Sequence, residues 1–277
     1  MISERPYVLH GKRFSRSASL ILFWSQTAGG LSNRVIDCLD QQLKLELCGE
    51  IKQGKFFSLG GVQIKRDVIQ FPQSKFYRCR ASNIIIFESD VPSHNHYEFI
   101  NTIIEFAQDC CRLKELVTIG EIISAIGPQE KRKMAAVVNQ SKLKKALASY
   151  EIATDINFRT ATGGIPTLNS FALWVAQKRD IAGYNFWIDI PFYLAATYDA
   201  AAAKKILGFL DDKFKLGLDL TGIDQDAAKL ETRLAELMKQ NKEAGRLMGL
   251  LTRGISVTRN EGEMLSQEVT DFLQGDY

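Results

Sequence analysis

The chain has 277 residues, 45% of them hydrophobic and 24% charged, and its 35 Lys and Arg stand against 32 Asp and Glu for a formal net charge of +3. That length buries a sizeable core, as one large α/β domain or as one domain with a small appendage. The near balance of charge argues against a nucleic-acid binder, no window approaches the roughly 20 apolar residues of a membrane span, and a cytoplasmic location is expected.

The N-terminus MISERPYVLHGKRFSRSASLILFW places basic residues before an apolar run. The run Ala18 to Trp24 is too short for a secretion signal and lacks a cleavage site, so it reads as a first core strand over Leu20 to Trp24. Leu31 to Leu43 reads as a helix with Val35, Leu39 and Leu43 on one face, and Leu45 to Ile51 as a second strand. Phe56 to Cys79 breaks the alternation with short strand-like pieces, Gly60-Gly61 and Pro72, and predicts a hairpin inserted at a sheet edge. Asn83 to Phe87 is uninterrupted and apolar, as in a central parallel strand. Tyr97, Ile100, Ile104, Ala107 and Cys111 then trace a helix face before a strand at Leu116 to Ile119.

Between 121 and 162 the pattern predicts a strand at Met134 to Val138, a short helix at Ser141 to Ala148 and an extended segment from Tyr150 to Phe158. Gly163 to Leu194 reads as one αβ unit. Pro166 suits a first helical position, Leu168, Phe171, Ala172 and Val175 recur at helical spacing, and Gly183 ends the pattern before the strand Tyr184 to Ile190. Ala200 to Phe214 predicts a helix, and Asp224 is placed as N-cap of a longer one from Asp226 to about Leu251. The organisation expected is a lead over 1–17, an α/β core over 18–222, a helical appendage over 223–252 and a polar tail over 253–277. The fold class is α/β, a wound, mainly parallel sheet flanked by helices.

Five cysteines at 38, 48, 79, 110 and 111 have no C-x-x-C spacing and read as reduced core residues. His94 and His96 point to different sides of a regular helix, so no metal site and no cofactor are expected. The basic run Lys131-Arg132-Lys133 reads as a solvated loop. In an open α/β sheet, function is sought beyond the carboxyl ends of the parallel strands. That rule selects Thr27, Gly29, Gly30, Ser32 and Asn33, whose turn either offers backbone donors to an anion or only makes a tight strand-to-helix connection. It also selects Glu88, Glu121 and Asp189, which either converge as a carboxylate cluster or satisfy nearby helix N-termini. Phe192, Tyr193 and Tyr198 form an aromatic patch at a strand exit, suited to packing another subunit or to being covered by the C-terminal helices.

The segment from the Gly-Ile-led helix to Asp189-Ile190-Pro191-Phe192-Tyr193 resembles the signature of the proteasome assembly chaperone 2 family. Ser25 to Val35 is similar to that family's Gly-rich strand-to-helix turn, Glu88 to Phe99 to its strand end and aromatic-Glu-Phe helix start, and Thr118-Ile119-Gly120-Glu121 to its next strand end. The resemblance covers about residues 18 to 250. Phe192, where the family often has His, and Ile126-Gly127-Pro128-Gln129, where it has a His-containing loop, depart from it. The resemblance implies a phosphorylase/hydrolase-like α/β fold, a homo-oligomer and an assembly-chaperone-like scaffold with a possible protein partner. The runner-up is a small-molecule binder or enzyme for a nucleoside- or phosphate-like ligand at the strand-end crevice. Relatives that dock on proteasome rings end with a hydrophobic residue, Tyr and one final residue. Here the end is Gly275-Asp276-Tyr277, and docking by the tail is not expected.

Overall fold

The computed structural model describes residues 5–11, 13, 17–25, 27–58, 62–65, 67–79, 81–110, 112–157 and 167–275. Gly60-Gly61, Cys111, Gly163, Pro166 and the last two residues, named above, lie outside them. The chain divides into two compact units, one from 1–26, 43–120 and 135–186, the other from 27–42, 121–134 and 187–277.

In chain order the elements begin with β1 (Tyr7–Leu9), β2 (Ser17–Trp24), α1 (Leu31–Leu43) and β3 (Glu46–Ile51). There follow β4 (Gln63–Lys65), β5 (Val68–Gln70), β6 (Ser74–Cys79), β7 (Ile84–Ser89), α2 (His96–Cys110) and β8 (Arg112–Ser124). Next come β9 (Met134–Val138), β10 (Ile152–Ala153), α3 (Leu168–Lys178) and β11 (Ala182–Pro191). The helices α4 (Ala200–Phe214), α5 (Thr221–Gln240), α6 (Lys242–Thr252) and α7 (Arg259–Gln274) complete the chain.

Nine strands form one mixed sheet in the order β1-β3-β6-β7-β2-β8-β11-β9-β10. Its centre is parallel, with Leu22 of β2 opposite Phe87 of β7 and Thr118 of β8. Seven of the eight β2 residues are buried, which is why β2 and β7 read as unbroken apolar runs rather than alternating ones. The expected hairpin exists as β4–β5, a separate two-stranded sheet. β6, which the same reading left at the edge, lies inside the main sheet, antiparallel to both β3 and β7. Burial decides its place: Phe76 stacks on Phe106 with ring centroids 3.8 Å apart. The core of the first unit joins Leu20, Leu22, Phe76, Phe87, Phe99, Ile103 and Phe106.

In the second unit α4 is capped by Asp199, whose carboxylate accepts from the N–H groups of Ala201 and Ala202 at 3.1 Å. The single helix expected from Asp226 to Leu251 is two helices. Asn241, at φ −111° and ψ 105°, leaves helical geometry and accepts from Glu243 and Ala244 N–H, ending α5 and starting α6. Asp224 sits in the first turn of α5 and is not its cap. The stretch after Arg253 carries α7, opened by a capping box in which Thr258 and Glu261 satisfy each other's backbone N–H. Leu234, Leu237, Leu247, Met248, Leu265 and Val269 close around Tyr193 and Leu194 as this unit's core.

Candidate functional site

The turn selected by the strand-end rule is built as a 3-10 turn at Ala28–Gly30 in front of α1. Gly29 and Gly30 adopt φ of 65° and 57°, the left-handed region that glycine enters without a Cβ penalty. At Gly29 the demand is also steric, since a Cβ there would lie 3.2 Å from Asp199 Cβ and 3.3 Å from Ile190. Thr27 Oγ1 accepts from Ser32 N–H at 3.0 Å. Gly29 N–H donates to the Ala195 carbonyl, and Asp199 N–H donates to the Gly29 carbonyl, each at 3.0 Å. Glu121 closes the turn by accepting from Ala28 N–H at 3.3 Å. Ser32 is buried and its hydroxyl has no hydrogen-bond partner among the described residues, whereas Asn33 is exposed.

Thr27, Gly29, Gly30, Ser32 and Glu121 are thus brought together. Burial pushes the Glu121 carboxyl above its usual range, against the Ala28 N–H, which favours the carboxylate. Asp189 belongs to a different neighbourhood. Its N–H donates to the Lys133 carbonyl at 3.1 Å. Its side chain is raised by burial first, while a Ser124 hydrogen bond and the charges of Lys133 and Arg132 pull it down. Glu88 lies in the first unit on β7, opposite Phe23 and Lys75. Among the described residues no group of three or more His, Cys, Asp or Glu is placed to hold a metal. His96 pairs through its ring with the Pro92 carbonyl at 2.9 Å.

The aromatic patch divides. Tyr193, offered as an interface anchor, is 1% exposed. Its hydroxyl donates to the Ile126 carbonyl at 3.1 Å, and burial holds the phenol well above its ordinary pKa. It is an anchor inside its own unit, beneath the C-terminal helices. Phe192 meets its ring edge-on, with centroids 5.3 Å apart, and is half-buried against the same cluster. Tyr198 is half-buried beside Arg34, whose guanidinium lies 5.7 Å from its ring centroid.

Two residues that sequence reasoning did not select organise this region. Arg132, read as part of a solvated basic run, is buried and donates from Nε to Asp199 Oδ2 at 2.7 Å. A second donor, Nη1, reaches the Glu130 carbonyl at 2.8 Å. The signal for Asp199 was local, an Asp directly before four alanines, which is N-cap chemistry. For Arg132 there was none, because its neighbours Lys131 and Lys133 are exposed and only pairing in space distinguishes it.

A model of the PAC2 family matches residues 26–238. Among curated proteins none matches by sequence. Among solved structures, a protein of unknown function from Corynebacterium glutamicum is 14% identical with a TM-score of 0.73, covering 95% of this chain and 100% of that one. PbaB of Pyrococcus furiosus, described as an archaeal proteasome activator, is 21% identical with a TM-score of 0.66 over 83% of this chain and 97% of its own. PbaA of the same organism, described as an archaeal homolog of proteasome-assembly chaperone, is 16% identical with a TM-score of 0.64 over 91% and 100%. At these identities the likeness is one of fold.

Proposed function

The chain belongs to the PAC2 family, and from that membership we propose that it is a non-catalytic homo-oligomer of assembly-chaperone type whose partner is another protein. The family match carries this reading. The fold likeness to a proteasome activator and to a homolog of proteasome-assembly chaperone points the same way. A physical reason for self-association lies in the first unit, where Ile64, Val68, Ile69 and Phe71 on and beside the β4–β5 hairpin are 52–78% exposed. Apolar side chains clustered on a short two-stranded element favour association with another surface. The free cysteines Cys38 and Cys79 accord with a cytoplasmic location, and no described helix is long and apolar enough to cross a membrane.

The turn at Thr27 to Gly30 supports a structural role in preference to an anion site. Its Ala28 and Gly29 N–H groups already donate to Glu121 and Ala195, so those donors are not free for an anion. One observation favours the second reading, a small nucleoside- or phosphate-like ligand at this crevice: the buried Ser32 hydroxyl has no partner among the described residues.

Light scattering at micromolar concentration tests the oligomer, with a mass above that of the 31.1 kDa chain expected. A strictly monomeric mass overturns it. Purified proteasome α-rings, offered the full chain and a form lacking Gly275 to Tyr277, test the tail. Loss of the tail is expected to change nothing, and release of the shortened form alone overturns that expectation. Saturable thermal stabilisation by a nucleoside, abolished by Gly30→Val, establishes the second reading instead.

A further inference from the structure

In the β4–β5 hairpin Ile64 lies opposite Ile69, Gln63 opposite Gln70 and Lys65 opposite Val68. Residues directly opposite each other share a face, and successive residues alternate between faces. Ile64 and Ile69 therefore occupy one face, and the same alternation places Val62 and Phe71 on it toward the base of the hairpin. Every position of that face is apolar. Positions 63, 65, 68 and 70 make up the other face, where Val68 stands among polar residue types.

The apolar face is not covered by its own chain, since Ile64 is 78%, Ile69 57% and Phe71 52% exposed. Nor does the main sheet support it, because β4 and β5 pair with each other as a separate sheet. Two strands alone are marginally stable in water and persist when a hydrophobic face is packed against something. The surface that packs this one must come from outside the chain.

We infer that it is the same face of a second copy, an inference that rests on the proposed self-association: two hairpins pack face to face about a twofold axis, with Ile64, Ile69 and Phe71 of each at the contact. A face without a charged position meets its own copy without like-charge repulsion, and sheets pack through such faces about 10 Å apart. Such a contact closes on itself, as twofold contacts do. Charge sets the direction of packing. The turn carries Lys65, Arg66 and Asp67, one positive charge in excess. Near the base stands Asp90, whose Oδ2 accepts from Gln73 N–H at 2.8 Å and which forms no ion pair among the described residues. An antiparallel arrangement keeps the two basic turns apart and brings each toward Asp90 of the other copy.

The test is light scattering of full-length variants beside the parent at one micromolar concentration. Ile69→Lys and Ile69→Glu, each alone, are expected to weaken association at least about tenfold, because like charges then face each other across the axis. Val68→Lys, the neighbouring position on the other face, is expected to leave association within about twofold of the parent. An equimolar mixture of Ile69→Lys and Ile69→Glu is expected to recover the parent mass, since a face that meets its own copy brings the two opposite charges together. All three substitutions change exposed side chains, and unchanged far-UV spectra are expected. A monomeric parent overturns the self-association and this contact together. An oligomeric parent whose mass survives Ile69→Lys, a loss in Val68→Lys as large as in Ile69→Lys, or a mixture that stays dissociated overturns this contact alone.

Discussion

Arg132 Nε donates to Asp199 Oδ2 at 2.7 Å with the two side chains 3% and 0% exposed, so an ion pair is held almost wholly out of water. The other carboxylate oxygen of Asp199 caps α4, and one side chain therefore fixes both a helix start and a buried charge.

Asp199→Ala is expected to lower unfolding free energy by about 3–5 kcal/mol for the stranded charge and by about 1 kcal/mol for the lost cap. Replacing both partners, in Arg132→Met with Asp199→Asn, removes the charges together and keeps a capping oxygen. Urea denaturation of the two forms checks this, and a double variant no more stable than the single one refutes it.

Gly49 of β3 leaves no room for a side chain. A Cβ there would fall 2.2 Å from Phe106 Cε2 and 2.6 Å from the Val8 carbonyl oxygen. Gly49→Ala is expected to cost about 1–3 kcal/mol or more through overpacking. Phe106→Leu in the same chain should rescue only part of the loss, because the Val8 backbone still obstructs. Full rescue in chemical denaturation contradicts this account.

Glu121 gives a pH dependence with a definite sign. Its folded pKa is raised, by burial above all. Protonation therefore favours the folded chain: this contribution is fully present below the ordinary carboxylate pKa of 4.5 and is lost as pH rises through the raised folded value. Glu121→Gln keeps an acceptor for Ala28 N–H and removes the charge. Its Tm is expected to fall less than that of the parent between pH 4.5 and neutrality, and parallel curves would show that the desolvation does not matter.

Self-association through the exposed hairpin predicts that Val68→Lys with Ile69→Lys lowers the mass measured by light scattering while the far-UV spectrum stays intact. An unchanged mass places the contact elsewhere.

What was legible in the sequence was what local chemistry dictates. β2 and β7 announced themselves because strands covered on both faces must be continuously apolar, and α4 followed from Asp199 and the alanines after it. The place of β6 was not legible, since its antiparallel pairing with both β3 and β7 is a long-range choice that alternation alone does not encode. The break at Asn241 was missed because an apolar stripe running through Leu237 and Met248 suits one helix as well as two. Yet Thr258 and Glu261 carried a readable capping box that the polar composition of the tail obscured. At the candidate site the glycine turn was found from its residues. Glu121 and Asp189 were found as strand-end acids, but their separate surroundings depend on where β8 and β11 end, which no spacing reveals.

The parallel pairing at the centre of the sheet also has a consequence for synthesis on the ribosome. β2 is almost entirely apolar, and its partner β7 completes the ladder only when Ser89, 65 residues after Trp24, has been made. At about 5–20 residues per second, the nascent strand waits roughly 3 to 13 s with its hydrogen-bonding edges unsatisfied. β8, on its other side, arrives later still. For that interval the emerging chain is itself a candidate for holding by a general chaperone, because an apolar strand without its neighbours is the segment most prone to pair with the wrong one.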